Sequence, residues 1–208
     1  FKYPATHKNI LNSINLVFSG KKMTIDLTSG LDNRHGGNVI SLGDLTMKQR
    51  RDTLLNDSGM INARGHVLLD VSNKITNYNG IISGGSVTID SDWIANNSGG
   101  RIQSKTGPLK INSGVFANQN NGLIVSNGKL DIKARRYINN DRGYIGTTGT
   151  SIASIETAGN FYNSNGGKIS LNGNGEILAS NVYNYYSGEI KSNGDLTIEK
   201  SSLVSNYG

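Results

Sequence analysis

The 208-residue sequence has no cysteine and only two prolines. Without cysteine there are no disulfides, no thiolate metal sites and no cysteine nucleophiles, so the fold is held by packing and hydrogen bonds alone. No apolar run is long enough to span a bilayer as a helix. The opening stretch, FKYPATHKNILNSINLVFSGKK, lacks the basic head, unbroken apolar middle and small-residue cleavage site of a secretory signal. If the parent is exported, the expected place for its signal is upstream. Hydrophobic residues are 35% of the chain, low for a globular enzyme, yet they are regularly spaced, which argues against disorder.

What is abundant is asparagine, with 28 residues, and glycine, with 27. Both tolerate left-handed backbone, so the chain is rich in turns. The net charge is +6 and the isoelectric point near 9.5. That balance permits attraction to anionic surfaces, glycans or nucleic acid and is silent about fold.

The apolar residues recur with a period. An aliphatic residue two places after a glycine appears at Val39, Ile61, Ile82, Ile102, Ile124, Ile145, Ile169 and Ile190. An asparagine lies five or six places before each, at Asn33, Asn56, Asn77, Asn96, Asn118, Asn139, Asn163 and Asn184, and Asn12 and Asn206 extend the series. A second glycine follows each aliphatic residue, then an alternating run such as HVLL (66–69) or LDI (130–132). A third apolar position precedes the asparagine, at Leu31, Leu55, Ile75, Ile94, Phe116, Ile138, Phe161, Val182 and Leu203.

Each unit of roughly 21 residues therefore carries three short strands and three corners. Asn127-Gly128 alone reads as a hairpin turn. Hairpins have no reason to keep so tight a period, whereas a coil that returns to the same place each turn must keep it. The sequence thus predicts an all-β chain, a single right-handed parallel β-helix of about nine coils. It runs over residues 11–208, after a lead-in segment at 1–10. At the usual strand spacing nine coils make a rod about 43 Å long. The repeated asparagine is expected to stack as a ladder. The longest step, from 145 to 169, predicts an outward loop around TTGTSIASIETAGN, near residues 147–160. The chain stops in mid-coil at LVSNYG without a visible cap, which reads as a piece of a longer rod.

The units LDNRHGGNVISLGDLTM (31–47), ANNSGGRIQSKTGPLKI (95–111), YNSNGGKISLNGNGEI (162–177) and YNYYSGEIKSNGDLTI (183–198) share the pattern x-N-x-x-G-G-x-I-x-S-x-G-x-L-x-I. That pattern resembles the haemagglutinin repeats of filamentous haemagglutinin-like exoproteins and covers about residues 10–208. The resemblance implies a giant two-partner-secreted protein of a Gram-negative bacterium. The parent would be an adhesin, or a contact-dependent growth-inhibition protein whose rod carries a receptor-binding region and a terminal toxin. Implied partners are an outer-membrane transporter and a receptor or glycan on a host or neighbouring bacterial cell. The Asn-Pro motifs of the family's secretion domain do not occur here, so the resemblance points to shaft or to a receptor-contacting part of the shaft, and does not choose between them.

Asp90 and Asp92 are the only close acidic pair within one strand, and no matching acid in adjacent coils completes the cluster a polysaccharide lyase or hydrolase would need. His7, His35 and His66 fall in different phases of the repeat and make no metal-ligand set. No enzyme activity, cofactor, metal, nucleic-acid partner or membrane span is expected.

The basic residues are more suggestive. Arg50 and Arg51 lie 11 and 12 places after Val39, and Arg135 and Arg136 lie 11 and 12 places after Ile124. Equal offsets predict one edge of the rod, with Lys48, Lys74 and Lys133 nearby and Trp93 in the same phase. Such a stripe suits a sulfated or phosphorylated glycan. Charged corners also simply keep a rod soluble and block lateral pairing. Tyr162, Tyr183, Tyr185 and Tyr186 suit either ligand contact or a stacked aromatic ladder, and the equivalence of Tyr162 with Tyr183 favours the ladder. The function expected is a structural and adhesive rod segment, with a receptor- or glycan-binding module as the alternative.

Overall fold

The structure is a computed structural model. It describes residues 2–3 and 10–11 as backbone, and residues 15–199 and 202–207 with their side chains. Among the described residues every strand pairing is parallel. The chain is a right-handed parallel β-helix of about nine turns, with roughly 22 residues per turn.

Three walls enclose the core. The first wall is a sheet of nine strands, running from Leu16–Ser19 through Leu123–Ser126 to Glu189–Ser192. The second wall begins with Met23–Leu27 and Leu45–Gln49 and ends with Leu196–Glu199. The third wall runs from Leu31–Asp32 through Thr53–Leu55 to Leu203–Tyr207. In the middle coils single long strands, His66–Thr76, Ser86–Asn97, Leu109–Gln119 and Leu130–Asp141, run through both the second and the third wall. Lys2–Tyr3 pairs with the second wall and Ile10–Leu11 with the third.

Alternation fixes which residues face in. Val39, Ile61, Ile82, Ile102, Ile124, Ile145 and Ile169 are wholly buried and stack in register along the first wall. Ile25, Met47, Leu69, Ile89, Ile111, Ile132, Ile155 and Ile177 do the same along the second. The third column is Leu31, Leu54, Ile75, Ile94, Phe116, Ile138, Phe161 and Val182. Here the expectation needs two corrections. Leu54, not Leu55, pairs with Ile75, and Val204, not Leu203, pairs with Val182. In each case two adjacent apolar residues compete, and the cross-strand register decides between them.

The asparagines form one continuous amide ladder. The Nδ2 of each residue donates to the Oδ1 of the next, from Asn33 through Asn56, Asn77, Asn96, Asn118, Asn140, Asn163 and Asn184 to Asn206, at 2.7–2.8 Å. The rung in the sixth coil is Asn140, not Asn139, whose side chain faces outward. The second amide proton reaches a backbone carbonyl of the following coil, as from Asn118 to the Tyr144 oxygen at 3.1 Å. Asn12 lies outside the described residues.

Just after the ladder residue the chain turns through left-handed backbone. Where this corner is short, one residue has positive φ, as at Ser58, Asn79 and Arg142; where it is one residue longer, two do, as at Ser98-Gly99 and Asn120-Asn121. This corner takes up one residue of the variation in repeat length; the rest falls at the other two corners. The coil with the longest step departs from its neighbours less than expected. Thr148–Ile152 makes a wider corner, but 153–157 and 160–164 are ordinary strands. No long loop stands out near residues 147–160. Asn127-Gly128 is a corner as well. Leu123–Ser126 pairs with the coils before and after it, and the Gly128 N–H donates to the Gly107 oxygen of the coil below.

Candidate functional site

The outer face of the second wall decides the fate of the basic stripe. Its central column reads Asp26, Lys48, Asp70, Asp90, Asn112, Lys133, Glu156, each in register with the next. Lys48 stands between two aspartates. The Lys133 amine lies 3.0 Å from the Glu156 carboxylate. The hydrogen bond it donates to that carboxylate holds the Lys133 amine above its ordinary range, with the charges of Glu156 and Asp131 adding to the effect. Asn112 donates to Asp90 at 2.5 Å.

The corner between the second and third walls carries the arginines. Arg135 and Arg136 place their guanidinium groups 2.7 and 2.9 Å from the two oxygens of Asp92, two coils away. Gly114 lies in the coil between them. A Cβ there would crowd both Asp92 and the Arg136 Nη2, so the missing side chain opens the path. Arg50 reaches Asp26 at 3.6 Å. Among the described residues Lys48 and Arg51 form no ion pair.

Arg50 and Arg135 follow equivalent inward residues, Gln49 and Ala134, and so share an edge. Trp93 does not belong to that edge. It pairs with Lys74 on one side and Val115 on the other, and Val115 pairs with Tyr137. The offset arises because this corner holds one residue in some coils and two or three in others. Counting from the isoleucine therefore drifts. Lys74 places its amine 5.3 Å from the centre of the Trp93 ring, a cation–π contact. Trp93 is 39% exposed.

Sequence reasoning missed Asp92 as the shared partner of two arginines. It also missed Tyr137, which joins the Trp93 column once the corner is aligned. Tyr162 and Tyr183 stack on the outer face of the third wall, with ring centres 5.1 Å apart and planes 11° apart, as the ladder reading expected. Tyr185 and Tyr186 continue the series at tilted angles.

The remaining candidates are dispersed. The His66 Nδ1 lies 2.7 Å from the Ser86 hydroxyl, His35 is exposed at a corner, and His7 lies outside the described residues. Among the described residues no group of three or more His, Asp or Glu is arranged to hold a metal, and no helix is long and apolar enough to cross a membrane. Two hollows lie on the outside. One of about 510 Å³ sits beneath the wide corner, between Asp131, Lys133, Ser151, Ile152 and Glu176. One of about 350 Å³ lies between Tyr137 and Tyr162.

The architecture defines a class first: an extended β-solenoid built from one repeated coil, with a continuous core. Comparison with known proteins places it further. The haemagglutinin repeat family matches residues 10–114, 82–165 and 162–206, and the chain belongs to that family. It is similar to the protein named tRNA nuclease CdiA of Escherichia coli O6:K15:H31 (strain 536 / UPEC), at 29% identity over 106 residues. That match covers 51% of this chain and 3% of the relative. It is also similar to Toxin CdiA of Escherichia coli, at 28% identity over 106 residues, again 51% of this chain and 3% of the relative. The chain thus matches only a small fraction of each relative's length. No solved structure matches.

Proposed function

We propose that this chain is a rod segment of a large secreted exoprotein of a Gram-negative bacterium, acting at the cell surface by reach and contact rather than by catalysis. The observation that carries the reading is the unbroken register of core columns and amide ladder through the described coils, which makes the segment a stiff spacer. The family match along the chain supports it, as does similarity to CdiA proteins of which this segment corresponds to a small part. The nuclease and toxin in those names belong to the relatives. The parent would be an adhesin or a toxin carrier, with a transporter partner in the outer membrane and a receptor or glycan on the opposing cell. The test is binding of the labelled segment to bacterial and host cells across a salt titration. Saturable binding to either cell type supports contact through this segment. Absence of binding to both removes the contact role and leaves only the spacer.

A second reading makes Lys48, Arg50, Arg51, Lys74, Trp93, Lys133, Arg135 and Arg136 a contact for anionic glycans. The shared edge of the two arginine pairs, about 19 Å apart by strand spacing, favours it. The carboxylates of Asp26, Asp92 and Glu156 oppose it, because they already occupy four of the cations. Two variants follow from this balance. Replacing Asp92 with Asn frees two arginines and should strengthen heparin binding at low salt, with a stability change below about 1 kcal/mol because the pairs are exposed. Reversing Arg50, Arg51, Arg135 and Arg136 to Glu should abolish it. Heparin affinity unchanged in both variants would remove the stripe from consideration.

A further inference from the structure

We propose that the hollow between Tyr137 and Tyr162 on the third wall is a binding cleft for a neutral, flat-ribbon oligosaccharide of equatorially linked pyranoses. The inference deepens the contact role proposed above and rests on it; the cleft borders the arginine edge at Arg136, but its walls are tyrosines of the third wall.

The cleft measures about 350 Å³ and is lined by Arg136, Tyr137, Gly159, Asn160 and Tyr162. That volume is in the range of small-ligand sites. Its walls are two half-buried aromatic rings from successive coils. Tyr137 pairs with Asn160, and Asn139 with Tyr162, so the rings stand in neighbouring columns one strand apart.

The Tyr162 ring is held in advance. Tyr183 stacks against it nearly in parallel. Its hydroxyl accepts a hydrogen bond from the Asn160 amide at 2.7 Å. Asn160 is itself held by the Asn181 amide at 2.9 Å. A ring fixed through its stacked neighbour and its hydroxyl, and lining an open hollow, binds with little loss of side-chain freedom. Gly159 contributes no side chain to the floor, and its backbone passes so close to the Arg136 carbonyl that a Cβ would overlap it.

The donor set selects the ligand. Aromatic faces suit the C–H face of a pyranose, and amide, hydroxyl and guanidinium groups suit its hydroxyls. Arg136 borders the cleft with its guanidinium tied to Asp92 at 2.9 Å, so its charge is already compensated. A polyanion gains little here. A peptide strand has no free ladder to join, because the unpaired edges of a β-helix lie at its ends and not on its walls. The flat wall and the straight columns fit a ligand that is itself flat and linear.

The experiment is saturation-transfer NMR on the whole segment with chitohexaose and cellohexaose as probes, and with a heparin hexasaccharide in parallel. At least one neutral probe should receive transfer from tyrosine ring protons, and high salt should leave its affinity unchanged. Tyr137→Ala and Tyr162→Ala should each weaken it about tenfold, and the double variant should abolish it. Tyr78→Ala, at an exposed tyrosine in a ladder corner away from the cleft, should change nothing. Circular dichroism and the urea midpoint report whether each variant keeps the coil. Three results would overturn the proposal: no transfer to either neutral probe, affinity that survives the double variant, or affinity that falls with salt. Salt-sensitive heparin binding with no neutral binding would sink the cleft while leaving the arginine edge and the contact role standing.

Discussion

Replacing Asn118 with alanine is expected to destabilise the middle of the rod by about 2–4 kcal/mol. Asn118 is wholly buried. Its Oδ1 accepts from Asn96 at 2.8 Å, and its Nδ2 donates to Asn140 at 2.8 Å and to the Tyr144 carbonyl at 3.1 Å. Truncation removes one donor and one acceptor from a chain in which each amide partners the next. The Asn140 Oδ1 is then buried without its donor. The Asn96 Nδ2 keeps the Gly100 oxygen at 2.9 Å, so the damage is larger on the C-terminal side of the gap.

Asn118→Asp separates the ladder from simple packing, because it keeps the shape and changes the proton inventory. At neutral pH the carboxylate faces two acceptors it cannot serve, the Asn140 Oδ1 and the Tyr144 oxygen. Burial and those acceptors raise its folded pKa above the unfolded value. The penalty is therefore absent below the unfolded carboxylate pKa. It grows as pH rises toward the folded pKa and is complete above it. Urea unfolding of the Asp variant at several pH values checks the sign. Amide exchange should show the opening confined to the coils around 96–144, since the strand pairing and the amide ladder of each coil reach only its neighbours. A penalty that is independent of pH, or spread evenly along the rod, would contradict the ladder account.

How far the sequence carries can be read from particular positions. The period, three strands per coil, the isoleucine column and the asparagine ladder all follow from spacing, because stacking demands that equivalent residues recur. Spacing alone failed wherever two like residues stand side by side. Asn139 and Asn140 are identical in composition, and only the ladder bond to Asn118 tells them apart. Leu54 and Leu55 differ only in register. At the arginine corner the failure had another cause. One to three residues bridge the second and third walls, so Trp93 shares an offset with Arg135 yet aligns with Tyr137. The carboxylates that tie the arginines were also hidden, because Asp92 lies 43 and 44 residues away from its partners and meets them only through the gap at Gly114. Pairing across two coils leaves no mark in a linear pattern.

The second large effect concerns glycine, and it distinguishes two reasons for the same residue. Gly100 sits at the corner after the ladder in ordinary φ, and a Cβ there would overlap the backbone carbonyl of Asn77 in the coil below. Gly59, Gly80, Gly122, Gly143, Gly167 and Gly188 meet the same obstacle, each against the ladder asparagine of an earlier coil. The obstacle is main chain on both sides, so no rotamer change relieves it, and the coils must separate. Gly100→Ala is therefore expected to cost about 3 kcal/mol or more, at the upper end of overpacking penalties. Gly36 is the opposite case. Its φ is +82° and nothing lies within 4 Å of a Cβ there. Gly36→Ala should cost only about 1 kcal/mol, the usual penalty for a side chain in left-handed backbone. Urea midpoints of the two variants, with amide exchange to localise the change, give the comparison. If Gly36→Ala proved the more damaging, backbone conformation rather than close approach would govern the corner, and the tight stacking at the asparagine ladder would not be what requires glycine in every coil.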